Sequence, residues 1–392
     1  MSAGALPPLV RPGPPLSASE RARYARHLLL PEIGETGQRR LRAARVAVVG
    51  AGGLGAPVLQ YLAAAGVGRL GIIDDDVVDV TNLQRQVVHG HADVGRPKVD
   101  SAADAVRALA PEVDVVAHRL RLTERNVDLL GDYDLVVDGA DNFPTRYLVN
   151  DACVRLGLPE VWGSVLRFDA QVAVFWGRPP AGVPAVQLRD LFPVPPPEGE
   201  VPSCATAGVL GALCGQVGSL MATEVIKLIT GTGRPLLGRV AVLDALAGSW
   251  REVPLRPTTT TRGGEGGPAP REVAPGGTTS GASGAGSGPG EVTPRELADL
   301  LSTGAVTLLD VREPGERDIV TIPGPQLAIP LGQLPGRVSE VPTDRPVVVY
   351  CRSGARSARA VAELSRAGRD AVNLAGGVLD WATDIDPTLP RY

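Results

Sequence analysis

Cys351 stands in VVVYCRSGAR, residues 347–356, where an apolar strand runs into a loop carrying two arginines. A cysteine between a strand and a helix meets successive backbone N–H groups and a helix N-terminus, which favour negative charge on sulfur. Arg352, Ser353, Gly354, Ala355 and Arg356 complete the loop, and the pattern reads as an exposed nucleophilic thiol. Far upstream, VAVVGAGGLG (46–55) runs another strand into a glycine-rich turn. Gly50, Gly52, Gly53 and Gly55 allow a tight turn and close backbone approach, and the helix that follows favours phosphate. Together the two signatures suggest that one domain activates a group with a nucleotide and another delivers sulfur to it. Each alone is ambiguous, since the first also suits a dehydrogenase and the second a cysteine phosphatase.

The residues after the glycine turn weigh on that choice. Asp74 ends the next strand, where a carboxylate could accept from a ribose hydroxyl. A nicotinamide dinucleotide would fit this far. DDDVVDVTNLQRQ (74–86) and GRPK (95–98) then add Asp76, Asn82, Arg85 and Lys98 near the same turn. Two cations and an amide are more than a dinucleotide needs, whereas a triphosphate needs them as charge moves onto pyrophosphate. Asp138-Gly139-Ala140-Asp141-Asn142 ends a further strand on the ligand side of the sheet. The Asp141 carboxylate, with Asn142 beside it, suits Mg²⁺, a hard ion that prefers oxygen.

Composition narrows the class. The chain has 392 residues, 44% hydrophobic and 21% charged, with a net charge of −4. That length accommodates two or three cored domains, and that charge offers no basic field for nucleic acid. The apolar runs read as too short for a membrane span of about 18 residues, and MSAGALPPLVRPGPP reads as a disordered lead-in (1–16) without a secretion signal. Cys153, Cys204, Cys214 and Cys351 form no CxxC pair, which points to a reducing, cytoplasmic setting rather than a disulfide framework. HGH at 89–91 reads as solvated loop.

The elements that must position these residues are α/β. VAVVG (46–50), LGIID (70–74), VDVVAH (113–118) and DLVVDG (134–139) read as buried parallel strands, with helices over 53–66 and 97–110 between them. This alternation implies a doubly wound Rossmann-like sheet. Residues 208–230 read as one long helix whose Gly208, Gly211, Gly215 and Gly218 invite close approach of another backbone, with Cys214 a buried structural thiol. Residues 257–290 are nearly all Gly, Ser, Thr, Pro and Ala and read as a flexible linker, with an r.m.s. span on the order of 30 Å. Beyond it, a helix capped by Thr293, the strands VTLLDVR, VVVYC and AVNLAGG, and a helix over 357–368 make a small α/β domain, residues 291–392.

Residues 17–256 carry RYARH, GAGGLG, DDDVVDVTNLQRQ, GRPK, GADN and PSCATAGVLG in order. This set resembles the ThiF/molybdopterin-synthase adenylyltransferase family, relatives of the ubiquitin-activating enzymes. The resemblance implies ATP-dependent adenylation of the C-terminal Gly-Gly carboxylate of a small ubiquitin-like sulfur carrier protein. It makes Asp74 the ribose-binding acid, Asp141 the Mg²⁺ ligand, and Asn82, Arg85 and Lys98 the phosphate-binding residues. It also makes Arg26 an arginine that reaches across a homodimer interface toward the nucleotide. Many members bind zinc through two CxxC pairs; this chain has neither, so no zinc is expected, and the proline-rich region near 177–200 must be held in another way. Cys204, in VPSCATAG, matches a cysteine that bonds covalently to the carrier in some relatives and is dispensable in others.

Residues 291–392 resemble a rhodanese domain through LLDVREPGE, YCRSGARSA and NLAGGVLDWATDIDP. In that superfamily a loop of six residues from Cys to Arg goes with sulfur transfer, and the loop here matches it. The resemblance gives Cys351 the persulfide, from thiosulfate or a cysteine desulfurase, and gives Asp310 and Arg312 a structural or orienting part. The readings left open are an oxidoreductase fused to a rhodanese domain and a non-catalytic module that only binds the carrier.

Overall fold

A computed structural model describes residues 6–195, 208–257 and 290–390. The chain divides into two compact units, residues 1–261 and 262–392. The expected linker lies almost wholly outside the described residues.

The first unit is built on eight strands in the order β3-β2-β1-β4-β5-β6-β7-β8. β1 (Arg45–Val49), β2 (Arg69–Ile73), β3 (Asp114–His118), β4 (Leu135–Asp138) and β5 (Glu160–Leu166) are parallel. β6 (Asp169–Phe175), β7 (Arg239–Asp244) and β8 (Ser249–Pro254) continue antiparallel. The Val-rich runs of β1 and β4 are buried on both faces, as central parallel strands must be. β3 is less buried than expected because it is the edge strand. The chain order reverses between β1 and β4, so their carboxyl ends open a crevice of the kind that binds nucleotides in open α/β sheets.

Helix Gly55–Ala64 follows β1, and its tight start depends on glycine: a Cβ at Gly55 would lie 1.8 Å from the Gly50 carbonyl oxygen. The expected long helix begins at Gly211 and runs to Thr230, leaving Gly208 outside it at φ +77°. Its glycines do admit backbone, with Leu54 O 2.8 Å from a Cβ built on Gly218, whereas Gly215 faces open space. This helix corrects the expectation that no run is long and apolar enough to cross a membrane, since its mean hydropathy is 1.3 over such a window. It is a core helix, packed against helix Gly55–Ala64 and strands β5 and β6, with Leu213, Val217, Met221 and Val225 fully buried.

The second unit is a five-stranded parallel sheet, β11-β10-β12-β13-β9. β10 (Thr307–Asp310), β12 (Val347–Tyr350) and β13 (Ala371–Leu374) were expected; β9 (Glu291–Val292) and β11 (Gln326–Ala328) flank them. Thr293 caps helix Pro294–Ser302 in a reciprocal box with Glu296. Central β12 delivers Cys351 at its carboxyl end, and helix Ala355–Arg366 follows.

Candidate active sites

A cavity of about 490 Å³ opens at the β1/β4 switch point. It is lined by Gly50, Gly52, Gly53, Asp74, Asp76, Arg85, Lys98, Asp141 and Asn142, which the sequence had singled out. Gly50 sits at φ +88°, and a Cβ there would meet the Gly139 carbonyl oxygen at 3.1 Å, so the turns after β1 and β4 close on each other. Asp74 accepts the Ala51 N–H at 2.8 Å and the Asp76 N–H at 2.9 Å. Burial raises its pKa, and the nearby Lys98 charge opposes that. Lys98 is buried along its length and ends on Asp76 at 2.9 Å. Arg85 donates to the Thr81 carbonyl at 3.0 Å, which directs a half-buried guanidinium along the cavity wall.

Other expected residues sit elsewhere. Asn82 does not line the cavity; its side-chain oxygen accepts the Asp79 N–H at 3.1 Å and shapes the short 3₁₀ turn that precedes Arg85. Gly55 starts the helix behind the turn. Arg26 is exposed on the short helix Ala25–Leu28 and does not line the cavity. Cys204 lies outside the described residues.

Asp141 is exposed, and the Asn142 amide donates to it at 3.4 Å. Asn142 also caps helix Phe143–Leu156, accepting the Thr145 N–H at 3.0 Å. One turn on, buried Arg146 donates to the Ala140 carbonyl at 3.1 and 2.9 Å and to the Ser164 hydroxyl at 3.0 Å. Its guanidinium lies against the Phe143 and Trp162 rings. Arg146 therefore fixes the loop that presents Asp141, a part the sequence reading missed although its place four residues after the capping asparagine was visible. Gln86, Arg121 and Cys214 also line the cavity unforeseen. Asp74, Asp75 and Asp76 bring carboxylate oxygens within 4.8 Å of one another, yet Asp75 is paired with Arg121 at 3.0 Å and Asp76 with Lys98.

His89 corrects the reading of HGH as solvated loop. It is buried, with Nε2 3.0 Å from the Ala51 carbonyl and Nδ1 2.8 Å from the Ser101 hydroxyl. Burial lowers its pKa, so a neutral ring braces the glycine turn.

In the second unit Cys351 is 1% exposed, against the expectation of an open thiol. The loop folds over it: the Gly354 N–H approaches Sγ at 3.2 Å and the Ser357 hydroxyl at 3.3 Å. Gly376 and Gly377, in the NLAGG run, seat helix Gly377–Asp384 against the loop. Val378 N–H donates to the Cys351 carbonyl at 2.9 Å and Leu379 N–H to the Arg352 carbonyl at 3.1 Å. A Cβ on Gly377 would lie 2.4 Å from the Cys351 carbonyl oxygen, so only glycine allows this seat. Ser353 and Ala355 are exposed on the loop surface, and Arg352 is half-buried. Arg356 pairs with Glu316. Asp310 and Arg312 form a fully buried pair at 2.7 Å, with Arg312 also donating to the Val320 carbonyl and lying over the Tyr350 ring.

Comparison with known proteins identifies both domains. Residues 24–263 match the ThiF family model and residues 293–384 the rhodanese-like domain model. The chain belongs to the ThiF family. It is 51% identical to a Mycobacterium tuberculosis protein named "Probable adenylyltransferase/sulfurtransferase MoeZ", over 99% of each chain. It is 41% identical to the mouse adenylyltransferase and sulfurtransferase MOCS3, over 98% of this chain and 90% of that one. A Thermus thermophilus sulfur carrier protein adenylyltransferase is 54% identical over 60% of this chain and 88% of its own. Like these ThiF relatives that span both domains, the chain is an adenylyltransferase and sulfurtransferase. Among solved structures, E. coli MccB with MccA-N7isoASN shares the fold, with a TM-score of 0.54 at 23% identity over 61% of this chain and 73% of that one.

Proposed function

We propose that this ThiF-family enzyme uses ATP to adenylate the C-terminal Gly-Gly carboxylate of a small ubiquitin-like sulfur carrier, and that Cys351 then supplies sulfur to make a thiocarboxylate. What carries the reading is one chain holding both a phosphate-type cavity and a cysteine cradled by N–H and O–H donors. The carrier carboxylate attacks the α-phosphorus and pyrophosphate leaves. Glycine-turn N–H groups, Arg85 and Lys98 offset the charge that moves onto it, and Asp74 receives the ribose. Asp141 offers an exposed, hard oxygen donor at the cavity and would hold Mg²⁺, whose charge would neutralise phosphate oxygens.

A persulfide on Cys351 then attacks the acyl carbonyl and AMP leaves. A thiol cleaves the resulting S–S bond, and the thiocarboxylate departs; Cys204 is the candidate for that thiol. The sulfur source in this reading is thiosulfate or a cysteine desulfurase. The enzyme works as a cytoplasmic homodimer without zinc, and Arg26 reaches the partner subunit's nucleotide. Exposed Leu29 and Leu30 beside Arg26 support an interface there. Neither nucleic acid nor membrane is a partner.

The test incubates the full chain with a Gly-Gly carrier, ATP and thiosulfate and weighs the carrier. The expected product is heavier by the difference between sulfur and oxygen. An unchanged carrier, with no pyrophosphate released, would reject the reading.

A further inference from the structure

Ser357 is fully buried in the first turn of helix Ala355–Arg366, and its hydroxyl reaches two acceptors. Cys351 Sγ lies at 3.3 Å and the Gly354 carbonyl oxygen at 3.0 Å. A serine hydroxyl has one hydrogen, so it serves one of these at a time. Among the described residues the other donor to sulfur, the Gly354 N–H at 3.2 Å, is fixed by the backbone. The cradle therefore holds one rigid donor and one rotor.

We propose that Ser357 is a catalytic donor whose hydroxyl follows the charge on Cys351 Sγ, turning to the Gly354 carbonyl whenever sulfur is uncharged. This rests on the reading of Cys351 as the sulfur carrier. In loading, the Cys351 thiolate attacks the outer sulfur of thiosulfate; an S–S bond forms at Sγ, the sulfur–sulfonate bond breaks, and sulfite leaves with the electron pair. The negative charge now sits on the terminal sulfur, and Sγ is a neutral divalent atom. In discharge to a thiophilic acceptor such as cyanide, the acceptor attacks the terminal sulfur and the Sγ–S bond breaks with its pair returning to Sγ. On the carrier route the pair leaves with the thiocarboxylate, and charge returns to Sγ when the disulfide formed with the cleaving thiol is reduced. The charge reappears beside Ser357. A donor that can arrive at that moment stabilises the leaving thiolate, while the carbonyl of Gly354 occupies it during the persulfide stage and leaves no buried hydroxyl unpaired.

The prediction is asymmetric between the half-reactions. Loading begins with charge already on Sγ and disperses it, so the donor is weaker in the transition state than at the start and loss of Ser357 does not slow this step. Discharge concentrates charge on Sγ, so it slows. The full chain and its Ser357→Ala variant are loaded with thiosulfate at the same alkaline pH, and persulfide is counted by mass. Cyanide then discharges it, giving thiocyanate and the free Cys351 thiolate. Ser357→Ala is expected to load at least as fast as the parent and to discharge roughly tenfold more slowly, the loss expected for one hydrogen bond to a charged group. Ser357→Thr should recover most of that rate, and Ser357→Val, of the same shape without the hydroxyl, should not. Equal discharge by parent, Ala and Val variants overturns the proposal while leaving Cys351 as sulfur carrier intact. Equal slowing of both half-reactions also overturns it, since that is what a disturbed loop would give. A parent that takes up no persulfide from thiosulfate removes the underlying reading, and this proposal with it.

Discussion

Glu316 holds Arg356 through two hydrogen bonds of 2.7 and 2.6 Å, one from each terminal guanidinium nitrogen to a separate carboxylate oxygen. The arginine that closes the cysteine loop is thereby tied to helix Pro314–Ile319, whose own capping box uses the same Glu316 carboxylate. Glu316 also gives its backbone carbonyl to buried Arg312 at 3.3 Å. The REPGE run and the cysteine loop are thus one mechanical unit, with Glu316 as its joint.

Glu316→Gln should therefore loosen the loop rather than remove a reactive group. A neutral amide cannot receive the two-pronged guanidinium in the same way. The second unit should lose about 1–3 kcal/mol of stability, read as a lowered melting temperature, and persulfide formation should fall with it. Arg356→Lys should fail to restore either property, because an ammonium has no fork. A Glu316→Gln protein that melts and loads sulfur like the parent would show that this pair is dispensable.

Adenylation should depend on Asp141 and Arg85 without involving any thiol. Removing one group that stabilises transition-state charge costs about 10²–10³ in rate. Carrier-dependent ATP–pyrophosphate exchange is the assay, and Asp141→Ala and Arg85→Ala should each fall by that factor. Near-normal exchange in Asp141→Ala would end its assignment as the Mg²⁺ ligand.

The acidic residues beneath the nucleotide turn make stability depend on pH. Asp138 and Glu160 are buried on the same face of adjacent strands β4 and β5, in the register that sets Val136 opposite Glu160 and Asp138 opposite Trp162. Burial pushes Asp138 up to about 6, against the pull of Arg146. Burial, and then the Asp138 charge, hold Glu160 well above its ordinary value. Neither Glu160 oxygen has a hydrogen-bond partner among the described residues. A carboxyl whose pKa is higher folded than unfolded contributes fully below its unfolded value, about 4.3 for Glu, and that contribution is lost as pH rises toward the folded value. Glu160→Gln removes the dependence at that position. The melting temperature of the variant minus that of the parent should therefore grow between about pH 5 and pH 8. A difference that stays flat would show that Glu160 is not protonated in the fold.

Much of this was legible in the sequence because glycine and strand patterns report backbone geometry directly. GAGGLG, GADN and NLAGG each mark places where a Cβ would strike a carbonyl, and Gly50, Gly55 and Gly377 meet that constraint. The antiparallel strands β6 to β8 were not read, because their pairing is set by contacts between distant segments rather than by a local period. Asn82 shows a further limit. Its type and place suggested a phosphate donor, yet an Asx-type turn claims its side chain first. Cys351 was read as open because motifs show which residues neighbour a thiol, not which of them cover it. Arg146 went unread since an arginine inside a helix looks like any solvated charge until its aromatic walls are placed.

If Arg26 serves the partner's nucleotide, two defective chains should repair each other. Arg26→Ala and Asp141→Ala disable different parts of one composite site, so a mixed dimer retains one site with both residues intact. After subunit exchange each mixed dimer should recover about half of the parental exchange activity, from one working site in two, and a statistical mixture about a quarter. Failure to recover any activity in dimers shown to be mixed would place Arg26 outside the site.

Cys351 should separate the two chemistries of the chain. Adenylation uses phosphate contacts and a carboxylate nucleophile, none of which lies in the second unit. Cys351→Ser changes one buried atom, and its hydroxyl can still accept from the Gly354 N–H that now meets Sγ at 3.2 Å, so the fold should survive. The variant should carry out ATP–pyrophosphate exchange with the carrier at the parental rate. It should form no persulfide from thiosulfate, since an alkoxide is not accessible at neutral pH and an oxygen cannot hold transferable sulfur in this way. The carrier should therefore accumulate as acyl-adenylate, without gaining the mass of sulfur. Exchange lost together with sulfur transfer would mean that the two activities are not independent. Thiocarboxylate made at the parental rate by Cys351→Ser from the same donor would move the sulfur path to another thiol of the chain.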